Sequence, residues 1–305
     1  MLYYLHQWAV DIGFLNVFRY ATFRAFGAAL TSLFICWWMG PMTIRILTRL
    51  KLGQPLRGKE EVHKLADLHS AKKGTPTMGG LLILFAVLGS TLLWARLDQV
   101  VLWLALGGML TLGLVGFADD YAKVSKKKSD GIPGRVKLAG QFIVALGVAI
   151  VLMMSPTFSE SCQKVFVPFL KEPILTHIGW WIIPFFAIVV MGTSNAVNLT
   201  DGLDGLAAGC TVSVTMVFAI FSFLSGNAVL SQYLYIPHTP GAGELAVFCA
   251  AMAGAALGFL WYNCHPAQVF MGDTGSLAIG GGLGVVAICI NQELLLVIAG
   301  GVFVM

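Results

Sequence analysis

Residues 100–120 read VVLWLALGGMLTLGLVGFADD, an uncharged apolar run closed by two adjacent carboxylates, Asp119 and Asp120. At about 1.5 Å of rise per residue, such a run crosses a hydrocarbon core of about 30 Å as a helix. Backbone groups in lipid must be satisfied inside their own segment, which excludes an isolated strand. Comparable runs cover residues 25–47, 78–95, 136–154, 178–197, 203–224, 244–262 and 275–290, and another begins near residue 293. A barrel would instead alternate over segments of about ten residues, and the chain shows none. The expected fold is therefore all-α: a polytopic transmembrane helical bundle of eight complete spans plus a truncated ninth, in one integral membrane domain over residues 1–305.

Composition agrees. The chain is 57% hydrophobic and 11% charged, against about 25% charged in soluble domains, so its main partner is the lipid bilayer. A formal net charge of +4 gives no reason to expect nucleic acid. The six cysteines are scattered without C-x-x-C spacing, as small packing residues are. The N-terminus lacks a basic region followed by a small-residue cleavage motif, so no cleaved signal peptide is expected. The last apolar run, from Glu293 to Met305, is about half of what a span requires, and the domain is expected to be incomplete at that end.

Basic residues orient the bundle. Arg45, Arg49, Lys51, Arg57, Lys59, Lys64, Lys72 and Lys73 follow the first span, and Lys123, Lys126, Lys127, Lys128, Arg135 and Lys137 follow the third. Arg19 and Arg24 oppose them but are outnumbered. Loops at about 48–77, 119–135, 198–203 and 263–274 thus fall on the cytoplasmic face, although the last two hold no Lys or Arg.

Those loops carry the polar residues that matter. No Lys or Arg follows Lys171, yet the chain keeps Asp201, Asp204, Glu244, Asp273 and Glu293. A carboxylate at membrane depth needs a partner, which must be a base from the first half, a proton or a metal ion. With Asp119 and Asp120 the set suits a hard divalent cation such as Mg²⁺ shared with substrate phosphates. Asn198, Asp201 and Asp204 recur every third residue around glycines, which suggests a break between spans with the next helix opening near Thr200 or Asp201. Capping alone needs one Asp, not three polar groups. Asp273 lies between Gly272 and Gly275 at the start of the eighth span, where a helix N-terminus suits anions. Thr77, after Pro76, reads as the N-cap of the second span. The stretch Lys123–Lys128 reads as a solvated basic face against anionic lipid. His63 and His69 read as surface residues, while His265 is the better candidate for substrate contact.

Four strings, Lys72–Gly80 (KKGTPTMGG), Gly116–Tyr121 (GFADDY), Asn195–Leu206 (NAVNLTDGLDGL) and Pro266–Leu277 (PAQVFMGDTGSL), resemble those of the polyprenyl-phosphate phospho-sugar transferase family. The threonine-rich first string points to its peptidoglycan branch rather than to transferases of N-acetylglucosamine phosphate. The resemblance implies ten spans, a bacterial inner-membrane location and an Mg²⁺ requirement. It implies UDP-MurNAc-pentapeptide and undecaprenyl phosphate as substrates, with lipid I and UMP as products. By motif match, Asp273 would be the principal Mg²⁺ ligand, with Asp119 and Asp120 the catalytic acidic pair. Lys72, Asn198, Asp201, Asp204 and Asn263 would line the nucleotide side, Thr77 would contact substrate, and Phe270 would stack on uracil. The family's histidine-rich loop and tenth span are not in this sequence. A homodimer stays open, as does the choice between direct attack and a covalent aspartyl-phosphate on Asp119 or Asp120. A cation-coupled transporter is the rival from another class, but it would place acids mid-span on alternating sides.

Overall fold

The computed structural model describes residues 1–8, 13–50, 75–126, 131–168 and 170–304. Most of the expected loop 48–77, with Lys72, His63 and His69, lies outside the described residues. The described chain forms α1 (Ala21–Arg49), α2 (Gly80–Trp94), α3 (Val100–Lys126), α4 (Gly134–Met154), α5 (Ile182–Thr200), α6 (Leu206–Gly226), α7 (Ala228–Leu234), α8 (Ala242–Asn263), α9 (Gly272–Cys289) and α10 (Glu293–Ala299). Short 3-10 turns occupy the N-terminal stretch and some connections, and Val165 and Leu175 form an isolated antiparallel bridge. This is a polytopic all-α membrane protein. Among the described residues, seven helices are long and apolar enough to cross a membrane, while α2 and the α10 segment are shorter.

The shortfall at α2 has a local cause. Met78 adopts a left-handed φ of 73°, so the helix cannot extend back through Thr77 as expected. Thr77 is therefore not its N-cap. Instead Gly79 and Gly80 donate their N–H groups to the carbonyls of Phe270 and Met271 at 2.8 and 2.9 Å, and Phe270 N–H donates to Pro76 O at 2.9 Å. These bonds tie the start of α2 to the segment that leads into α9. The break after α5 falls later than expected, because α5 runs to Thr200. Gly205 has φ 76°, so α6 opens at Leu206 rather than near Asp201.

α9 is the centre of the bundle. Every residue from Thr274 to Cys289 is buried, which is why its sequence is apolar all round instead of striped. α3, α5 and α2 surround it, and α8 packs against α1 and α6 in a second layer. Gly116 lets α3 touch α9 backbone to backbone, since any side chain there would collide with the carbonyl of Asp273.

The end remote from the motif loops is held by a buried ion pair. Arg24 on α1 meets Glu244 on α8 through two contacts of 2.5 and 2.7 Å, and Glu244 also accepts the Arg96 N–H at 2.8 Å. This explains why Arg24 opposes the charge asymmetry without upsetting it: its charge is neutralised inside the protein. Removing one member leaves the other charge buried. Arg24→Leu is expected to destabilise the protein by about 3 kcal/mol, the low end of the range for a broken buried pair because Glu244 keeps Arg96. Thermal unfolding in detergent measures this, and Arg24→Leu combined with Glu244→Gln should recover part of the loss.

Candidate active site

Three ends meet at the other side of the bundle: the C-terminal end of α3, the C-terminal end of α5 and the N-terminus of α9. They bring Asp119, Asp120 and Asp273 together, with one oxygen of each within 4.8 Å of the others. Asp119 is fully buried; its Oδ1 accepts the Ile132 N–H at 2.8 Å, which holds Ile132 beside the site.

Two lysines bridge one oxygen of Asp119 and one of Asp273. Lys123 Nζ lies 2.6 Å from Asp119 Oδ2 and 3.2 Å from Asp273 Oδ2. Lys137 Nζ, from the first turn of α4, lies 2.9 Å and 2.6 Å from the same two oxygens. Lys123 was expected on a solvated face, yet it turns inward because it stands one helical turn beyond Asp119. Lys137 had no sequence signal, since its partner Asp273 is 136 residues away.

Asn198, on the last turn of α5, donates through Nδ2 to Asp273 Oδ1 at 3.0 Å and Ser276 Oγ at 2.8 Å. Asp120 turns inward, accepting from Asp273 N–H at 3.2 Å, Thr274 N–H at 2.9 Å and Thr274 Oγ1 at 2.7 Å. Asp201, just past α5, accepts the Gly272 N–H at 3.1 Å. Burial, with the Asp273 charge nearby, pushes the Asp201 carboxyl well above the usual range. Gly272 has φ 73°, and a side chain there would meet Asp120 Oδ2 at 2.6 Å and Thr77 Oγ1 at 2.9 Å. Thr77 is buried, with no hydrogen-bond partner for its hydroxyl among the described residues.

The remaining expected residues brace the neighbouring loops. Asp204 Oδ2 accepts the Ala267 N–H at 3.3 Å and lies 3.1 Å from Nδ1 of the exposed His265. Asn263 is buried, accepting the Gly205 N–H at 3.1 Å and donating to Val269 O at 2.9 Å. Phe270 is half-buried. Asn195, within the same motif, faces α4 instead and exchanges amide hydrogen bonds with Gln141. Because both halves of the Asn263 amide serve buried backbone groups, Asn263→Ala should cost about 2 kcal/mol of stability, read as a lowered unfolding temperature in detergent.

The donor set suits a hard cation. Asp119 Oδ2 and Asp273 Oδ2 already share positive groups, and all three donors are carboxylate oxygens. The two lysines balance Asp119 and Asp273, so an incoming diphosphate brings uncompensated negative charge that a divalent ion would offset.

Residues 102–291 match the family profile described as glycosyl transferase family 4, and residues 72–84 match phospho-N-acetylmuramoyl-pentapeptide-transferase signature 1. Among similar proteins, the phospho-N-acetylmuramoyl-pentapeptide-transferase of Methylacidiphilum infernorum (isolate V4) is 60% identical over 304 residues, covering 100% of this chain and 83% of its own length. The proteins of that name from Syntrophus aciditrophicus (strain SB) and Desulfotalea psychrophila are 48% and 50% identical, each over 305 residues and 82% of its own length.

Proposed function

The chain belongs to the phospho-N-acetylmuramoyl-pentapeptide-transferase family, and from that premise we propose that it makes lipid I. It transfers phospho-MurNAc-pentapeptide from UDP-MurNAc-pentapeptide to undecaprenyl phosphate and releases UMP. The observation that carries this reading is the paired-lysine, paired-carboxylate cluster of Asp119, Asp273, Lys123 and Lys137 at one end of the bundle. Its place at the ends of spans rather than mid-span argues against a cation-coupled transporter. The basic residues after the first and third spans support a cytoplasmic position for this end in the bacterial inner membrane. They support one integral domain in which the helix ends and connections within 48–77, 119–135, 198–203 and 263–274 share that face.

An oxygen of the lipid phosphate attacks the sugar-linked phosphorus, the bond from that phosphorus to the bridging oxygen breaks, and the electron pair leaves with UMP. A phosphate monoester has a second pKa of about 6, so the acceptor is largely ionised at neutral pH and needs little base. Asp119 therefore holds the two lysines, whose charges steady the phosphates as the bond breaks. With ammonium groups 2.6 and 2.9 Å from its oxygen, Asp119 is a poor nucleophile, which favours direct attack over an aspartyl-phosphate. Mg²⁺, held by Asp273 and Asp119, would neutralise the diphosphate and stabilise the leaving UMP. Lys72, Thr77, Asn198, Asp201, Asp204, Asn263 and Phe270 are assigned to the nucleotide side, most of them as braces of the loops that form it.

The test is UMP release by the purified protein with undecaprenyl phosphate, comparing UDP-MurNAc-pentapeptide with UDP-N-acetylglucosamine. Release from the first, lost on chelating Mg²⁺, is expected. Equal release from both would overturn the substrate assignment.

A further inference from the structure

Asp119 and Asp120 are neighbours in sequence but do different work. The first N–H groups of any helix lack partners within it. At α9 three in succession are met by carboxylates: Gly272 by Asp201, and Asp273 and Thr274 by Asp120, which also accepts the Thr274 hydroxyl. Asp119 and Asp120 are both buried, but the four ion pairs of Lys123 and Lys137 go to Asp119 and Asp273.

Two consequences follow. The N-terminal N–H groups of α9, expected from sequence to suit a substrate anion, are already taken by carboxyl oxygens of the chain itself. And Asp273 is fixed in space by its own backbone N–H, gripped from α3.

Resting on the transferase reading above, we infer that Asp120 is a positioning residue. It clamps the first turn of α9 and so sets Asp273, while Asp119 and Asp273 hold the two lysines. Thr274 is its working partner, because its hydroxyl supplies one of the three donors.

Hydrogen–deuterium exchange of the detergent-solubilised protein tests this without reference to any substrate. Asp120→Ala should speed amide exchange in the first turn of α9 at least tenfold and leave residues 131–133 unchanged. Asp119→Ala should do the converse, through the lost Ile132 contact. Thr274→Val keeps the Asp120 carboxylate but removes one donor. It should hasten exchange in the same turn and lower kcat about tenfold, with KM for the UDP-sugar and the acid limb of the pH profile unmoved. Wild-type exchange at α9 in an inactive Asp120→Ala protein would overturn the inference, because the carboxylate would then act on the reactants themselves. If Asp120→Ala does not fold, Thr274→Val decides, and wild-type exchange with full activity overturns it. Failure of the transferase reading is a separate result, seen as no UMP release by the wild type.

Discussion

Asp273→Asn is expected to lower kcat about 10⁴-fold, equivalent to about 5.5 kcal/mol of transition-state stabilisation, in a protein that still folds. The substitution is nearly isosteric, and the backbone contacts of residue 273 to Asp120 do not involve the side chain. What changes is charge. Oδ2 faces two ammonium groups and Oδ1 accepts from Asn198. An amide at 273 sets an N–H against at least one of these donors and removes the negative charge that would hold a divalent ion. If the Asp273 charge acts on the phosphates as the bond breaks, KM for the UDP-sugar should stay within a few-fold. Steady-state rates across a Mg²⁺ series measure both effects, and a variant within tenfold of wild type would contradict the assignment.

Lys137→Met should be the second most damaging change, lowering kcat about 10³-fold, or about 4 kcal/mol. Lys137 reaches both Asp119 and Asp273, and without it the two carboxylates share only Lys123. Like charges about 4 Å apart repel by about 4 kcal/mol at an effective dielectric constant of about 20. Lys123→Met should be milder, since Lys123 lies 3.2 Å from Asp273 against 2.6 Å for Lys137. The ratio of the two rates, at fixed Mg²⁺ and pH, is the measurement. Equal losses would mean that distance to Asp273 does not set the effect.

The bundle was legible because lipid leaves few options: long uncharged runs become helices, and α4, α6 and α8 start and stop within a few residues of expectation, while α3 runs on to Lys126 through the start of the expected loop. The convergence of Asp201 and Asp273 on the Asp119–Asp120 end of α3 was legible for a related reason, since the acids after Lys171 have no local base and must find partners elsewhere. Three things were not. The start of α2 depends on the left-handed backbone at Met78, and methionine gives no sign of such a turn. The inward turn of Lys137 depends on the packing of α4 against a helix end that is remote in sequence. The division of labour between Asp119 and Asp120 follows from which way each side chain points around α3, where adjacent residues face about 100° apart.

The most direct measurement counts products. Purified protein, UDP-MurNAc-pentapeptide, undecaprenyl phosphate and Mg²⁺ should yield UMP and a lipid whose mass equals acceptor plus phospho-MurNAc-pentapeptide, in equal amounts. The Asp273→Asn protein should yield neither. UMP formed without that lipid, or the lipid formed as readily by Asp273→Asn, would contradict the account.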